Sequence, residues 1–237
     1  YAEYAEGPVE GKTNIAAYEF PLWVAATFST VDEVETALRD TVIVAKSAGE
    51  GLGVSLLHWI IGDSRRSIVV EMMADGLHVY DNPVDTLANQ PTFPWHMENL
   101  RTYITATSDF PQTATWRGAE LKPYGAGAGM RGIPGDCYSP SRFVKAAYHN
   151  ANYPQKDSEA ENVIRMFRSL EGVVMIEGAS KMGDGEFEKT IYTGCFSART
   201  GNYYYSTYED PSIRYVSLMD AEGASSDRLV VPEPRRS

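Results

Sequence analysis

Apolar and polar residues alternate in two parts of this chain as the short runs that are typical of β-strands. Three such runs lie near the middle, separated by the turn sequences Gly-Asp-Ser and Asp-Gly: Leu56–Ile61, Ser67–Met73 and Leu77–Tyr80. They predict an antiparallel meander. Towards the end, the same pattern predicts three further strands: Thr190–Phe196, Tyr203–Tyr208 and Ile213–Leu218.

Before the meander, the apolar spacing is closer to that of helices. The segment Ile15–Phe28 is predicted to form a buried helix, after a polar loop over Tyr1–Asn14. A second helix is expected to start at Ser29, with Asp32 completing a capping box. A strand is predicted at Thr41–Ala45.

After the meander, a helix is predicted over Trp95–Ile104, followed by an irregular tract over Thr105–Arg117. Another helix is expected to start at Asp157 or Ser158, and Val231–Ser237 is expected to be a loose tail. Helices between two antiparallel strand clusters are typical of a layered α+β fold. No linker or repeat interrupts the pattern, so residues 1–237 are predicted to form a single domain.

A glycine-rich stretch precedes one more predicted helix. The run GAGMRG over residues 127–132 matches the spacing G-x-G-x-x-G, but Pro134 interrupts before a helix starts, which excludes a dinucleotide site. The glycines are instead expected to let the backbone approach other backbone or a ligand. Ser139 is a good N-cap, and Arg142 falls in the first turn, where the helix dipole disfavours a cation. From this position alone, a functional role for Arg142 and a place on the solvated surface are about equally favoured.

Composition and charge narrow the function classes. The chain has 237 residues, 43% of them hydrophobic, which is enough to bury a sizeable core. Its net charge of −11 argues against a nucleic-acid partner and against attraction to anionic membranes. No apolar run is long enough to span a membrane. An anionic ligand would therefore need a local cation such as Arg142.

The cysteines and histidines indicate no metal or redox chemistry. Cys137 and Cys195 form no disulfide framework, and their number suits a reducing compartment, so a cytoplasmic location is predicted. The 4 histidines lack metal-ligand spacing, so no metal and no cofactor are predicted. Cys137 near a helix start is a minor candidate nucleophile, because His149 on the same helix is too distant to pair with it.

Several long motifs in collinear order resemble the choloylglycine hydrolase family, which includes bile salt hydrolases and penicillin V acylases. The most specific are GMRGIPGD followed by SPSRFVKAAY, and DTLANQPTFPWHMENLRTYI at Asp85–Ile104. The others are EFPLWVA, LLHWIIGD, SIVVE, KMGDGEFEKTIYT and YYYSTYEDPSI. The resemblance covers nearly the whole chain.

The resemblance implies the four-layer αββα sandwich of N-terminal-nucleophile hydrolases, with the chain forming the larger C-terminal part of such a domain and the fold incomplete at its N-terminus. It implies hydrolysis of an amide by an N-terminal cysteine. The family's leading segment, which carries that cysteine, would precede Tyr1. The chain as printed is therefore expected to be inactive alone.

The resemblance also assigns candidate site residues. Asn89 matches an oxyanion-hole contributor, and Arg142 matches an arginine near the nucleophilic sulfur, where a cation favours the thiolate. Leu52, Val54 and Leu56 lie in a loop that corresponds to a wall of the substrate pocket. Without the resemblance, Asn89 would be interpreted as a turn residue. For the three loop residues, an ordinary place in the loop or strand core is as well supported as the pocket wall.

The resemblance favours a bile salt hydrolase, which cleaves the amide between a bile acid and glycine or taurine. It also implies a homo-oligomer, by family likeness a tetramer, whose partner is a small-molecule conjugated bile acid. The alternative within the family is a penicillin V acylase or an N-acyl-homoserine-lactone acylase. An alternative of another class is an inactive fragment or a ligand-binding remnant that keeps the pocket walls.

Overall fold

The computed structural model describes residues 2–218 and the short strand Arg235–Arg236. The chain divides into two compact units, Tyr1–Ala151 and Asn152–Ser237. The described α-helices are α1 (Phe20–Thr27), α2 (Val31–Leu38), α3 (Phe93–Leu100), α4 (Ser139–Asn152) and α5 (Glu159–Glu171). The described strands are β1 (Thr13–Ala16), β2 (Thr41–Val44), β3 (Trp59–Gly62), β4 (Ser67–Met73), β5 (Gly76–Asp81), β6 (Ala114–Trp116), β7 (Ala119–Leu121), β8 (Tyr192–Ser197), β9 (Asn202–Thr207), β10 (Arg214–Ser217) and β11 (Arg235–Arg236).

The predicted meander is confirmed as the antiparallel sheet β3-β4-β5 of the first unit. Its central strand β4 is buried from Ser67 to Glu71. Ile68 and Val70 point to one face and join a core with helices α1 and α2, whereas Val69 points to the other face. Since side chains alternate along a strand, Glu71 lies on the face of Val69.

The helices and strands before the meander differ in part from the predicted ones. Ile15 lies in β1, which pairs in parallel with β2, so the expected helix over Ile15–Phe28 is wrong in its first part. The helix begins only at Phe20, because pairing with β2 outweighs the local helical spacing. The capping box of α2 is formed by Thr30 and Glu33, one residue later than expected for Ser29 and Asp32.

The second face of the sheet is covered by α3 and α4. Val69 packs with Phe93 of α3 and with Phe143 and Ala147 of α4, all of them buried. The helix predicted over Trp95–Ile104 is confirmed in type, although it starts at Phe93 and ends at Leu100. This packing brings the starts of α3 and α4 to the same face of the sheet.

The glycine-rich segment does allow a close backbone approach. A Cβ atom on Gly129 would lie 2.2 Å from the carbonyl oxygen of Thr107, so only glycine fits at this position. Earlier in the chain, β6 lies within the tract Thr105–Arg117 that is predicted to be irregular, and it pairs with β7 in a β-hairpin. Its turn residues Arg117 and Gly118 have φ angles of 48° and 92°. Positive φ at both positions is typical of the mirror-image turn of two-residue hairpins, which the sequence Arg-Gly does not predict.

The second unit consists of the antiparallel sheet β11-β10-β9-β8 with α5 packed on it. Val163 and Phe167 of α5 pack with the buried Cys195 of β8. Ser158 caps α5 by accepting a hydrogen bond from the backbone N–H of Glu161, as expected. Of the tail predicted over Val231–Ser237, only Arg235–Arg236 lies among the described residues, and it pairs with β10.

Within the described part of the chain, no helix is both long enough and apolar enough to cross a bilayer.

Candidate active site

Asn89 and Arg142 are joined by a hydrogen bond although 53 positions separate them in the sequence. Nη2 of Arg142 donates to Oδ1 of Asn89 over 2.7 Å. Asn89 precedes the cis Gln90–Pro91 peptide bond, and Arg142 lies in the first turn of α4. A guanidinium has no acceptor, so the oxygen of the Asn89 amide must face it. The Nδ2 amino group therefore points away from Arg142 and is available as a donor.

Arg142 is held by a second hydrogen bond, and neither of its two partners neutralises its charge. Its Nε donates to the backbone carbonyl of Cys137 over 3.1 Å. Among the described residues it forms no salt bridge with a carboxylate. A half-buried cation held by neutral acceptors attracts an incoming anion more strongly than one that is already neutralised.

The backbone of Asn89 is held by two further donors. Nε2 of His96, in the first turns of α3, lies 2.8 Å from the carbonyl oxygen of Asn89. The hydroxyl of Ser139, at the start of α4, donates to the same oxygen over 2.7 Å. Both oxygen atoms of Asn89 are therefore bonded, one to Arg142 and one to this pair.

His96 is fully buried, and its ring stacks on Phe143 with centroids 4.4 Å apart. Burial lowers the pKa of His96 below the usual value. The hydrogen bond to the carbonyl of Asn89 and the charge of Glu71 oppose this shift, whereas His58 and Arg142 add to it. Glu71 is itself buried on β4, and its Oε1 accepts the backbone N–H of Phe93 over 3.0 Å at the start of α3. The lowered pKa of His96 favours the neutral imidazole at pH 7.

The arrangement combines fixed hydrogen-bond donors with a fixed positive charge. The Nδ2 amino group of Asn89, which bonds no other described residue, can stabilise an oxyanion, which is the usual contribution of such a donor in acyl transfer. The guanidinium of Arg142 can hold a thiolate in its charged form. The described residues contain no group of three or more acidic, His or Cys side chains that could hold a metal ion.

Comparison with known proteins identifies the family. Residues 1–230 match the family model of linear amide C–N hydrolases, choloylglycine hydrolase family. This chain belongs to the choloylglycine hydrolase family. A bile salt hydrolase/transferase of Bifidobacterium longum subsp. longum is 52% identical over 231 residues, which cover 98% of this chain and 73% of that protein. A conjugated bile acid hydrolase of Lactobacillus gasseri is 38% identical over 233 residues, covering 97% and 73%.

Solved structures agree with the predicted fold. A crystal structure of a mutant conjugated bile acid hydrolase from Clostridium perfringens has a TM-score of 0.85 and 33% identity, and the match covers 100% of this chain and 70% of that one. A penicillin V acylase from Agrobacterium tumefaciens has a TM-score of 0.70 and 16% identity, and it shares the fold over 94% of this chain and 62% of its own. The predicted family and the α+β fold of N-terminal-nucleophile hydrolases are confirmed.

The three other predicted site residues lie in a loop between β2 and β3. Leu52, Val54 and Leu56 are 63%, 37% and 61% exposed, so they do not belong to the core. The hydroxyl of Ser47 lies within hydrogen-bond distance of the carbonyl oxygens of Gly49 and Leu52, and its one hydrogen can be donated to either, which holds the start of the loop. Their role as a pocket wall stays a prediction of the family resemblance.

The sequence reveals little of what holds Asn89 in place. Ser139 is recognisable as a helix-start residue, but its hydroxyl donates to Asn89. His96 carries no motif beyond its place seven residues after Asn89, and Glu71 lies in an apolar strand run. Their roles depend on the approach of β4, α3 and α4, which no local pattern specifies.

Proposed function

We propose that this protein hydrolyses the amide bond between a bile acid and glycine or taurine, with Asn89 and Arg142 in its active site. The observation that carries the proposal is the 2.7 Å contact of these two side chains within a member of an amide hydrolase family. The names of the relatives, bile salt hydrolase and conjugated bile acid hydrolase, support the choice of substrate.

The nucleophile in this proposal is the thiolate of an N-terminal cysteine upstream of Tyr1, as the family resemblance implies. The sulfur attacks the amide carbon, and the carbonyl oxygen becomes an oxyanion that accepts from Nδ2 of Asn89. The protonated α-amino group gives its proton to the leaving nitrogen, and the C–N bond breaks to release glycine or taurine. The neutral α-amino group then takes a proton from the water that attacks the thioester, and cleavage of the C–S bond releases the bile acid and restores the thiolate.

Arg142 stabilises the thiolate in this scheme and orients Asn89. The exposed side chains of Leu52, Val54 and Leu56 contact the apolar face of the steroid. The conjugate ends in an anion, so an apolar wall beside a cation is the matching environment.

The test is the release of glycine from glycocholate by the full-length protein. Arg142→Ala is expected to lower kcat/KM by about 100-fold or more, since it removes both the cation and the partner of Asn89. Arg142→Lys keeps the charge but cannot hold both acceptors, so only partial activity is expected. The control is Arg101→Ala, an exposed arginine paired with Glu98. A loss below about three-fold for Arg142→Ala would remove Arg142 from the site.

The alternative within the family is tested with the same preparation. Penicillin V and an N-acyl-homoserine lactone are offered beside glycocholate and taurocholate at equal concentrations. Higher kcat/KM for either acylase substrate would replace the bile salt assignment. Turnover of none of the four by the full-length protein would favour an inactive, ligand-binding remnant. The polypeptide Tyr1–Ser237 alone, without the proposed nucleophile, is expected to turn over none of them.

Three further properties belong to the proposal. Both compact units are parts of one domain, as the family match over residues 1–230 supports. The bacterial cytoplasm is the proposed location, which suits the lack of a disulfide bond between Cys137 and Cys195 and the bacterial sources of the relatives. A homotetramer is the proposed assembly, supported by the exposed β6–β7 hairpin with Trp116 at its turn.

A further inference from the structure

The carbonyl oxygen of Asn89 accepts from two side chains that lie on two different helices. His96 reaches it from α3 over 2.8 Å, and Ser139 reaches it from α4 over 2.7 Å. A backbone carbonyl in a loop ordinarily finds water or a neighbouring amide. Two side-chain donors on one oxygen fix the peptide plane at the residue whose amide faces Arg142.

The tautomer of His96 follows from its partner. A carbonyl oxygen only accepts, so Nε2 must carry the hydrogen. Nδ1 is then an acceptor, and it has no hydrogen-bond partner among the described residues although the side chain is fully buried. An orphaned buried acceptor costs free energy, so selection for stability alone would favour an apolar ring here.

The surroundings of His96 explain why the ring is neutral. Arg142 faces it from α4, Glu71 from β4, and His58 from the segment before β3. Phe143 covers one face of the ring. Protonation would place a second positive charge near Arg142 in a dry environment, which burial already disfavours.

We propose that His96 is a positioning residue that, together with Ser139, holds Asn89 so that its amide donor is aimed at the oxyanion. This inference rests on the proposed function. His96 does not touch the reacting atoms and transfers no proton, because its one N–H is committed to the carbonyl of Asn89. It acts through the orientation of Asn89 alone.

The experiment compares His96→Phe, His96→Gln and Ser139→Ala in the full-length protein. Phe keeps a flat ring against Phe143 without a donor, and the amide of Gln can return an N–H close to the place of Nε2. We expect His96→Phe to lower kcat by about 10- to 100-fold with KM changed less than about three-fold, since the substrate still binds but the donor is misplaced. His96→Gln is expected to recover most of that loss, and Ser139→Ala to lower kcat by about three- to ten-fold.

The matched controls are His78→Phe and His78→Gln, at a partly exposed histidine of β5 that pairs with Asp75. Neither is expected to change kcat. The thermal unfolding of every variant is measured as well, to distinguish a loss of Asn89 orientation from a loss of fold stability. A fall in melting temperature with unchanged kcat for folded His96→Phe would give His96 a purely structural role and overturn the inference. A loss of kcat in His96→Phe that His96→Gln does not rescue would also overturn it.

A second measurement does not depend on activity. Long-range ¹H–¹⁵N spectra of the ring are expected to show a proton on Nε2 and none on Nδ1 at about pH 7 to 8. The side-chain amide signals of Asn89 are expected to shift in His96→Phe and to return in His96→Gln. If the wild-type protein turns over no amide substrate, the proposed function fails, but these spectra still decide the role of His96. A protonated Nδ1, or unmoved Asn89 signals, would overturn it.

Discussion

The side-chain hydroxyl of Tyr4 forms hydrogen bonds with the end of the loop that carries Leu52, Val54 and Leu56. The hydroxyl accepts from the backbone N–H of Leu57 over 2.6 Å and lies 3.0 Å from the carbonyl oxygen of Ser55, to which it can donate. Partial burial raises the pKa of Tyr4, so the hydroxyl keeps its proton at ordinary pH. One side chain thus ties the distant loop end to the start of the chain.

Replacing that hydroxyl tests whether the loop forms a wall of the pocket. Tyr4→Phe leaves the N–H of Leu57 without its partner and loosens the loop, so KM for glycocholate is expected to rise about two- to ten-fold. The value of kcat is expected to change little, because Asn89 and Arg142 are not affected. Steady-state kinetics measure both constants.

The control for this change is Tyr18→Phe, whose hydroxyl bonds the side chain of the adjacent Glu19. It is expected to leave KM unaltered. An unchanged KM in Tyr4→Phe would separate the loop from substrate binding. A fall in kcat alone would place the effect of Tyr4 at the chemical step instead.

At the scale of elements, Asp63 joins the turn between β3 and β4 to the start of α2. Its Oδ2 accepts from the backbone N–H of Val31, and its Oδ1 accepts from the N–H groups of Arg65 and Arg66. These three backbone donors lower the pKa of Asp63 to about 2. A carboxylate beside a helix N-terminus is also favoured by the helix dipole.

The lowered pKa gives a stability change with a defined pH range. The carboxylate stabilises the fold fully above its unfolded pKa of about 4, and this contribution is lost as pH falls towards about 2. Asp63→Asn cannot accept at both oxygens, so it is expected to unfold at a lower temperature than the wild type at pH 7. The gap should narrow between about pH 4 and pH 2.

Melting curves of both proteins over this pH range provide the measurement. Asp157→Asn, an exposed aspartate before α5, is the control and is expected to follow the wild type. A gap that stays constant down to pH 2 would show that the charge of Asp63 does not stabilise the fold.

Elements with a continuous periodic pattern could be predicted, and those that depend on distant pairing could not. The meander around β4 and the helix capped by Ser158 follow from local spacing and turn chemistry. Ile15 looks helical by its neighbours, yet it lies in a strand because Ile43 pairs with it from 28 positions away. The β6–β7 hairpin escaped prediction because Arg117 is rarely placed in its positive-φ turn.

The same division applies to the candidate site. Asn89 and Arg142 could be selected only through the family resemblance, since spacing alone left both with ordinary structural roles. Their contact requires α3 and α4 to pack side by side on β4. His96 and Glu71 could not be recognised, because their polar partners come from segments far along the chain.

For the whole molecule, the proposed tetramer can be tested at the β6–β7 hairpin. All six residues of its strands are exposed, and Trp116 is 73% exposed. Large exposed apolar side chains are typical of interaction surfaces. Trp116→Glu is expected to convert the tetramer into smaller species, as measured by sedimentation velocity.

The control for the assembly is Thr115→Glu, which adds the same charge to the opposite face of the same strand. Thr115→Glu is expected to leave the sedimentation coefficient of the assembly unchanged. A tetramer that survives Trp116→Glu would exclude this hairpin from the interface. A wild-type protein that sediments as a monomer would contradict the proposed assembly itself.

The contacts of Arg142 also limit which inhibitors could bind it. Its Nε and Nη2 form one edge of the guanidinium, and the carbonyl of Cys137 and the amide oxygen of Asn89 already occupy that edge. A carboxylate warhead could not dock side-on with two parallel hydrogen bonds unless it displaced one of them. A planar acid is therefore expected to dock end-on, at the edge that Nη1 and Nη2 form, where Nη1 bonds no described residue.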